Sequence, residues 1–253
     1  MPAIDLDGRA NVARIAMWSG PRNLSTALMR AFENRADTAV LDEPLYAHYL
    51  AHTGLEHPGR EAVLAAQPTD WHAALATLFQ TLPAGLTIHY QKHMSHHLLP
   101  GFDENWLDRL VHCFLIRDPD EVVVSYARTR EKPTLADLGY QQQLGIFRHE
   151  FERCGVAPPV IDARDLLQDP PGLLAALCQR LGLEFDEAML SWPAGRRPSD
   201  GVWAPHWYAS VEKSTGFQPY QAPRQVVPDA LKSLAKVCQP IYREIFGYRL
   251  KAL

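Results

Sequence analysis

Short unbroken apolar runs alternate along the chain with longer stretches whose apolar residues recur every three or four positions, which predicts strands separated by helices. Arg14 to Trp18 (RIAMW) is the first run. It meets the turn signal Ser19-Gly20-Pro21, after which Ala27, Leu28, Ala31 and Phe32 give Ser25 to Asn34 helical spacing. Ala39 to Leu41 is a second strand, stopped at Asp42-Glu43-Pro44 because proline has no amide proton to extend a ladder. Residues 61–81 are helical in composition and broken at Pro68, with Thr69 or Asp70 capping the second piece. Leu86 to Tyr90 is a third strand and Val111 to Ile116 (VHCFLI) a fourth, apolar throughout as a strand covered on both faces must be. Asp120 to Arg130 follows as a helix, Val160 to Asp162 is a fifth strand with Leu173 to Leu181 as its helix, and Pro228 to Tyr242 is a closing amphipathic helix.

That alternation predicts an α/β fold, a doubly wound and mostly parallel sheet flanked by helices, in one domain over residues 1–253. Ligands of such sheets sit beyond the carboxyl ends of the strands. From Ser191 to about residue 225 the texture changes to a segment rich in Pro, Gly, Trp and basic residues without a period. It is too long for an ordinary connection, and its aromatic residues favour an ordered lid over disorder.

Composition narrows the partners. A net charge of -4 and a pI near 6.2 argue against a protein that coats nucleic acid, so any anion site is local. No apolar run approaches the roughly 20 residues of a membrane span, and the acidic, mixed N-terminus is unlike a signal sequence, giving a cytoplasmic expectation. Cys113, Cys154, Cys178 and Cys238 are widely spaced and read as buried thiols, and the clustered His93, His96 and His97 lack carboxylate or cysteine company at ligand spacing, so no metal is expected.

The candidate chemistry begins where the first strand hands over to its helix. Pro21, Arg22, Asn23, Leu24, Ser25 and Thr26 occupy a junction that offers unpaired amides and the positive end of a helix dipole to an anion. The hydroxyls and the Arg22 guanidinium can add to that cradle. A plainer reading makes Ser25 an N-cap and Arg22 a solvated turn residue. The pattern is not GxxxxGK[ST], because Leu24 stands where the lysine belongs. Arg117, closing the fourth strand, and Ser125, two turns into the next helix, form a second pair of donors able to converge on another phosphate.

With both segments in view, the sequence resembles the sulfotransferase family. Its members carry a Pro-(Lys/Arg)-Ser-Gly-(Thr/Ser)-Thr loop for the 5′-phosphosulfate of the donor PAPS, and an Arg-Asp-Pro stretch with a later serine for the 3′-phosphate. Pro21-Arg22, Ser25 and Thr26 match the first, and Arg117-Asp118-Pro119 with Ser125 match the second; Asn23-Leu24 replaces the usual Ser-Gly. Residues 160–185 also resemble the family's Asp-Leu, Asp-Pro and Leu-Gly-Leu progression, so the likeness covers roughly residues 14–190. It implies a P-loop NTPase-like fold, PAPS as donor and a small-molecule acceptor offering a hydroxyl or amine.

The resemblance offers two candidates for the base. Glu43 stands at the end of the second strand, where tyrosylprotein and some bacterial sulfotransferases carry a catalytic glutamate, and His93 falls on the histidine of the cytosolic enzymes' Lys-Thr-His-Leu-Pro stretch. Both stay open, with Arg22 as the cation for charge growing on the bridging oxygen. Family members also close the nucleotide site with a late basic loop, for which Lys213, Ser214 and Gly216 are the candidates, with Arg196 and Arg197 further out. Trp203, His206, Trp207 and Tyr208 are candidates for a pocket wall or for lid packing. A P-loop kinase and a non-catalytic nucleotide-binding relative are the competing readings.

Overall fold

A computed structural model describes residues 12–101, 103, 105–128, 132–222 and 226–253. In chain order the elements are β1 (Ala13–Ser19), α1 (Ser25–Glu33), β2 (Thr38–Asp42), α2 (Tyr46–Thr53), α3 (Arg60–Ala66), α4 (Trp71–Leu78), β3 (Ile88–Met94), β4 (Val111–Ile116), α5 (Pro119–Tyr126), α6 (Leu135–Leu138), α7 (Tyr140–Cys154), β5 (Val160–Asp162), α8 (Ala163–Gln168), α9 (Pro170–Leu181), α10 (Ala204–Trp207) and α11 (Asp229–Phe246). The five strands form one sheet in the order β2-β3-β1-β4-β5, and every neighbouring pair is parallel. The α/β fold, with helices on both sides of a parallel sheet, is the architecture the sequence predicts.

The residues of β1 and β4 alternate between two cores. Trp18, Phe114 and Ile116 face α4, α5, α7 and α11, whereas Ile15, Met17, Cys113 and Leu115 face α1 and α9. Covering both faces removes the solvent side of the sheet, which is why these strands are largely apolar, and the buried His112 of β4 is satisfied by accepting from Trp18 Nε1 at 2.9 Å. Strand β1 pairs with β3 on one side and β4 on the other. The connection from β1 leads to the left half of the sheet and the later chain to the right, so the crevice beyond the tip of β1 is the switch point where doubly wound sheets bind ligands.

Several boundaries differ from the sequence expectation. Strand β3 runs on through Gln91, Lys92, His93 and Met94, all buried, because these polar groups find partners inside the fold: Gln91 Nε2 donates to the Leu78 carbonyl at 2.8 Å, and Gln91 Oε1 lies 3.1 Å from His93 Nε2. Helix α5 ends at Tyr126, and residues 129 and 130, expected in it, lie outside the described residues. Cys154, expected buried, is exposed beside the C-terminus of α7, whereas the other three cysteines are buried. The cap expected ahead of α4 is Asp70, whose side chain accepts from the Ala73 amide at 2.9 Å.

The late segment is ordered and closed on itself. Ser191 pairs with Gly216 in an antiparallel bridge, the Trp192 amide donates to Thr215 O at 3.1 Å, and the Gly195 amide donates to Glu212 O at 2.7 Å. Its body joins α2 and α3 in a third apolar cluster through Trp203, Ala204 and Tyr208. Asp200 ties it to α1 by accepting from Arg30 Nη2 at 2.7 Å. Residues 223–225, expected at its end, lie outside the described residues.

Candidate functional site

Between β1 and α1 the backbone turns through two residues that are not glycine yet hold positive φ, Arg22 at 62° and Leu24 at 67°. Leu24 is the N-cap of α1 in the left-handed conformation, and no side chain caps the helix. The amides of its first turn therefore stay available to an external anion. Leu24 occupies the glycine position of the resembling loop, so leucine supplies the backbone conformation that glycine ordinarily gives, at a cost of about 1–2 kcal/mol. Asn23 is buried and turned inward, its Nδ2 donating to the Leu115 carbonyl at 3.3 Å. Gly20 is fixed by close approach, since a Cβ there would meet the Leu138 carbonyl oxygen at 2.6 Å.

The two arginines meet in front of this turn. Arg117 Nη1 donates to the Arg22 carbonyl at 2.8 Å, and Arg22 Nε donates to Ser125 Oγ at 3.1 Å. Arg117 is balanced by Glu121 at 2.9 Å, whereas among the described residues no carboxylate lies within ion-pair distance of Arg22. Burial, with the charges of Arg117 and Arg128, pushes the Arg22 pKa below its ordinary value. A partly buried guanidinium in that setting gains from an incoming anion.

Beyond the turn opens a cavity of about 330 Å³, within the size range of small-molecule sites. Residues 21–26, Arg117 and Ser125 line it, together with Glu43, Tyr46, His97, Trp207 and Tyr208. The expected Ser214 and Gly216 also line it; Lys213 does not and is exposed. Arg196 and Arg197 are turned to Glu212 and Glu33. Trp203 packs in the third cluster, while Trp207 and Tyr208 reach the cavity wall. A wider surface groove between α5 and α11 collects none of the loop residues.

The two candidate bases separate. Glu43 follows β2 with φ 42°, is 8% exposed, and lines the cavity. His93 lies inside β3 with its ring stacked on Trp18 at 4.4 Å and is not among the cavity residues. Burial among His112 and His89 lowers its pKa to about 3, which leaves it neutral and a poor proton acceptor near pH 7.

Around Glu43 the structure adds a cluster that sequence reasoning does not assemble, made of Lys92, Asp42 and Tyr208, of which only Tyr208 is among the sequence candidates, as a pocket wall. Lys92 Nζ donates to Glu43 Oε1 at 2.6 Å, Tyr208 OH at 2.7 Å and Asp42 Oδ1 at 2.9 Å. Tyr208 OH donates to Asp42 Oδ2 at 2.6 Å and accepts from Trp203 Nε1 at 3.1 Å, and the Gly201 amide donates to Asp42 Oδ2 at 3.1 Å. Burial raises the Glu43 pKa, with Asp42 adding to the rise and Lys92 opposing it.

Residues 13–246 match the family described as Sulfotransferase domain. The chain belongs to the sulfotransferase domain family. Two proteins of Arabidopsis thaliana are similar to this sulfotransferase chain: branched-chain-amino-acid aminotransferase-like protein 1, 39% identical over 211 residues, which are 83% of this chain and 38% of that protein, and aminotransferase-like protein 2, 35% identical over 228 residues, 90% of this chain and 40% of that protein. The chain thus spans about two fifths of the length of these relatives. Among solved structures it is similar to the sulfotransferase domain of the Synechococcus PCC 7002 olefin synthase, with TM-score 0.52, 19% identity, and 96% of this chain and 98% of that one covered. It is also similar to a sulfotransferase from Alicyclobacillus acidocaldarius, with TM-score 0.56, 12% identity and 93% and 94% covered. At these identities the likeness is one of fold. Family membership supports sulfuryl transfer as the general chemistry of the chain.

Proposed function

We propose that the chain moves a sulfuryl group from PAPS to a hydroxyl or amine of a small-molecule acceptor. One observation carries the reading: Arg22 and Arg117 reach a single cavity from neighbouring strand tips, linked through the Arg22 carbonyl, and Glu43 lines the same cavity. The 5′-phosphosulfate belongs at the α1 amides with Arg22, Ser25 and Thr26, and the 3′-phosphate at Arg117 and Ser125.

The chemistry then distributes over these residues. Glu43 takes the acceptor proton as the new bond to sulfur forms, while the bond from sulfur to the 5′-phosphate oxygen breaks and PAP leaves. Arg22 and the loop amides stabilise the negative charge growing on that leaving oxygen. Residues of the late segment, Trp207, Ser214 and Gly216, close the cavity over the substrates and keep water from competing for the donor.

The protein's own contacts favour this reading over phosphoryl transfer. A P-loop kinase needs a lysine in the loop and an acid free to hold magnesium. Leu24 takes the lysine's place, and Asp42, the acid a kinase reading would offer for magnesium, is committed to Lys92, Tyr208 and the Gly201 amide. Thermal denaturation with PAP, and separately with ATP and magnesium, tests the assignment, because a ligand that binds the folded state raises the midpoint. A rise with PAP that is lost in Arg22→Ala is expected. A rise with ATP and magnesium alone overturns it.

A further inference from the structure

We propose that Lys92 is a positioning residue for Glu43, holding the carboxylate charged and aimed at the cavity while giving none of its own protons to the substrates. The inference rests on the reading of Glu43 as base.

An ammonium has three N–H donors. All three of Lys92 are committed, to Glu43, Tyr208 and Asp42, at 2.6, 2.7 and 2.9 Å, and the side chain is 1% exposed. Lys92 thus has no donor left for a sulfonate or a leaving oxygen. Its contact with Glu43 goes to Oε1, and among the described residues Oε2 has no hydrogen-bond partner. One oxygen of the carboxylate is fixed and the other is left for an acceptor proton.

The fixed end is itself anchored from three directions. Asp42 and Lys92 face each other across the β2–β3 ladder. Tyr208 brings in the late segment, its hydroxyl fully engaged by Lys92, Asp42 and Trp203. Folding of that segment onto the sheet therefore completes the cage that orients the base.

Several ionisable groups face Glu43: Asp42 beside it, Lys92 from β3, Tyr208 from the late segment and Tyr46 from α2, with Arg22, His57, His96 and His97 lining the same cavity. Tyr46 is held neutral by burial and by Glu43 itself, and burial keeps His97 well below its ordinary pKa. Lys92 and Asp42 are thus the charges that set the ionisation of Glu43, in opposite senses.

The test is a pH titration of the Glu43 side-chain carbon by NMR in protein labelled at glutamate Cδ, the signal assigned by its loss in Glu43→Gln. Lys92→Met removes the cation and is expected to move the Glu43 titration up by about one pH unit or more, whereas Asp42→Asn removes the competing anion and is expected to move it down. Circular dichroism establishes that each variant is folded, and if Lys92→Met does not fold, the neutral but hydrogen-bonding Lys92→Gln takes its place with the same upward shift expected. An unmoved or downward-shifted Glu43 titration in the folded Lys92 variant overturns the proposal. Retention of PAPS turnover by Glu43→Gln would instead defeat the reading of Glu43 as base, and leaves the titration result standing as a separate fact.

Discussion

Arg117 reaches back from the tip of β4 to donate to the carbonyl of Arg22 beyond the tip of β1, at 2.8 Å. Two cations are thereby held on the same side of the sheet, one through its own backbone. The contact gives Arg117 two duties, fixing the turn that presents Arg22 and offering charge to the cavity.

Arg117→Ala is therefore expected to weaken PAP binding by roughly 10- to 100-fold, the span of one or two charge-assisted hydrogen bonds. Isothermal titration measures it. Binding within twofold of the parent would remove Arg117 from the nucleotide site.

At Arg22, backbone strain and side-chain function can be pulled apart. Arg22→Ala keeps a left-handed residue without its cation, whereas Arg22→Gly removes both the cation and the strain of about 1–2 kcal/mol. Both are expected to lose PAPS turnover, followed as PAP release, yet the glycine variant should melt above the alanine one. Equal midpoints would mean the φ of 62° costs nothing.

Glu43→Gln preserves size and removes the proton acceptor. A fall in turnover of about 10²- to 10⁴-fold is expected, with PAP affinity unchanged because the proposed phosphate contacts come from the loop, Arg117 and Ser125 and not from Glu43. Loss of PAP binding in this variant would place Glu43 in structural support of the donor pocket.

Acid should destabilise the fold well above the usual carboxylate range. Burial holds His89 to a pKa of about 4 and His93 to about 3, and keeps His97 and His112 below their ordinary value. In the unfolded chain these imidazoles protonate near pH 6.5, so between that pH and their folded values the unfolded state binds more protons and stability falls as pH falls. Glu43 and Asp162, both raised by burial, act in the opposite sense, but they are two groups against five imidazoles, since burial also lowers the pKa of His48. Melting midpoints between pH 7.5 and 4.5 should drop steadily below pH 6.5, each histidine contributing up to about 1.4 kcal/mol per pH unit. A flat profile over this range would contradict the buried, neutral state of these rings.

The legible parts of the fold are those in which local pattern and tertiary environment agree. VHCFLI is covered on both faces and is β4 to the residue, and the β1–turn–α1 junction with Arg22 stands where the sequence puts it. Strand β3 was only half legible: YQKHM is polar by composition, and its burial depends on partners such as the Leu78 carbonyl and Asp42 that come from elsewhere in the fold. Helix α7 was missed because its Gln-rich start hides the apolar face made by Ile146 and Phe147. Within the site the phosphate loop could be read from contiguous residues. The Lys92 cage could not, since Asp42 and Tyr208 are 166 positions apart and no spacing rule joins them.

Asp42 lies opposite Lys92 in the parallel ladder between β2 and β3, and Glu43 continues the same edge, its amide donating to the Lys92 carbonyl at 2.9 Å. Successive side chains along a strand point to opposite faces, so displacing β2 by a single residue would swap which faces its side chains occupy. Deleting one residue between Thr38 and Leu41 would then carry Asp42 to the wrong face while leaving every chemical group in the polypeptide. The reacting centre is encoded as much in the count of residues along that short strand as in their identities.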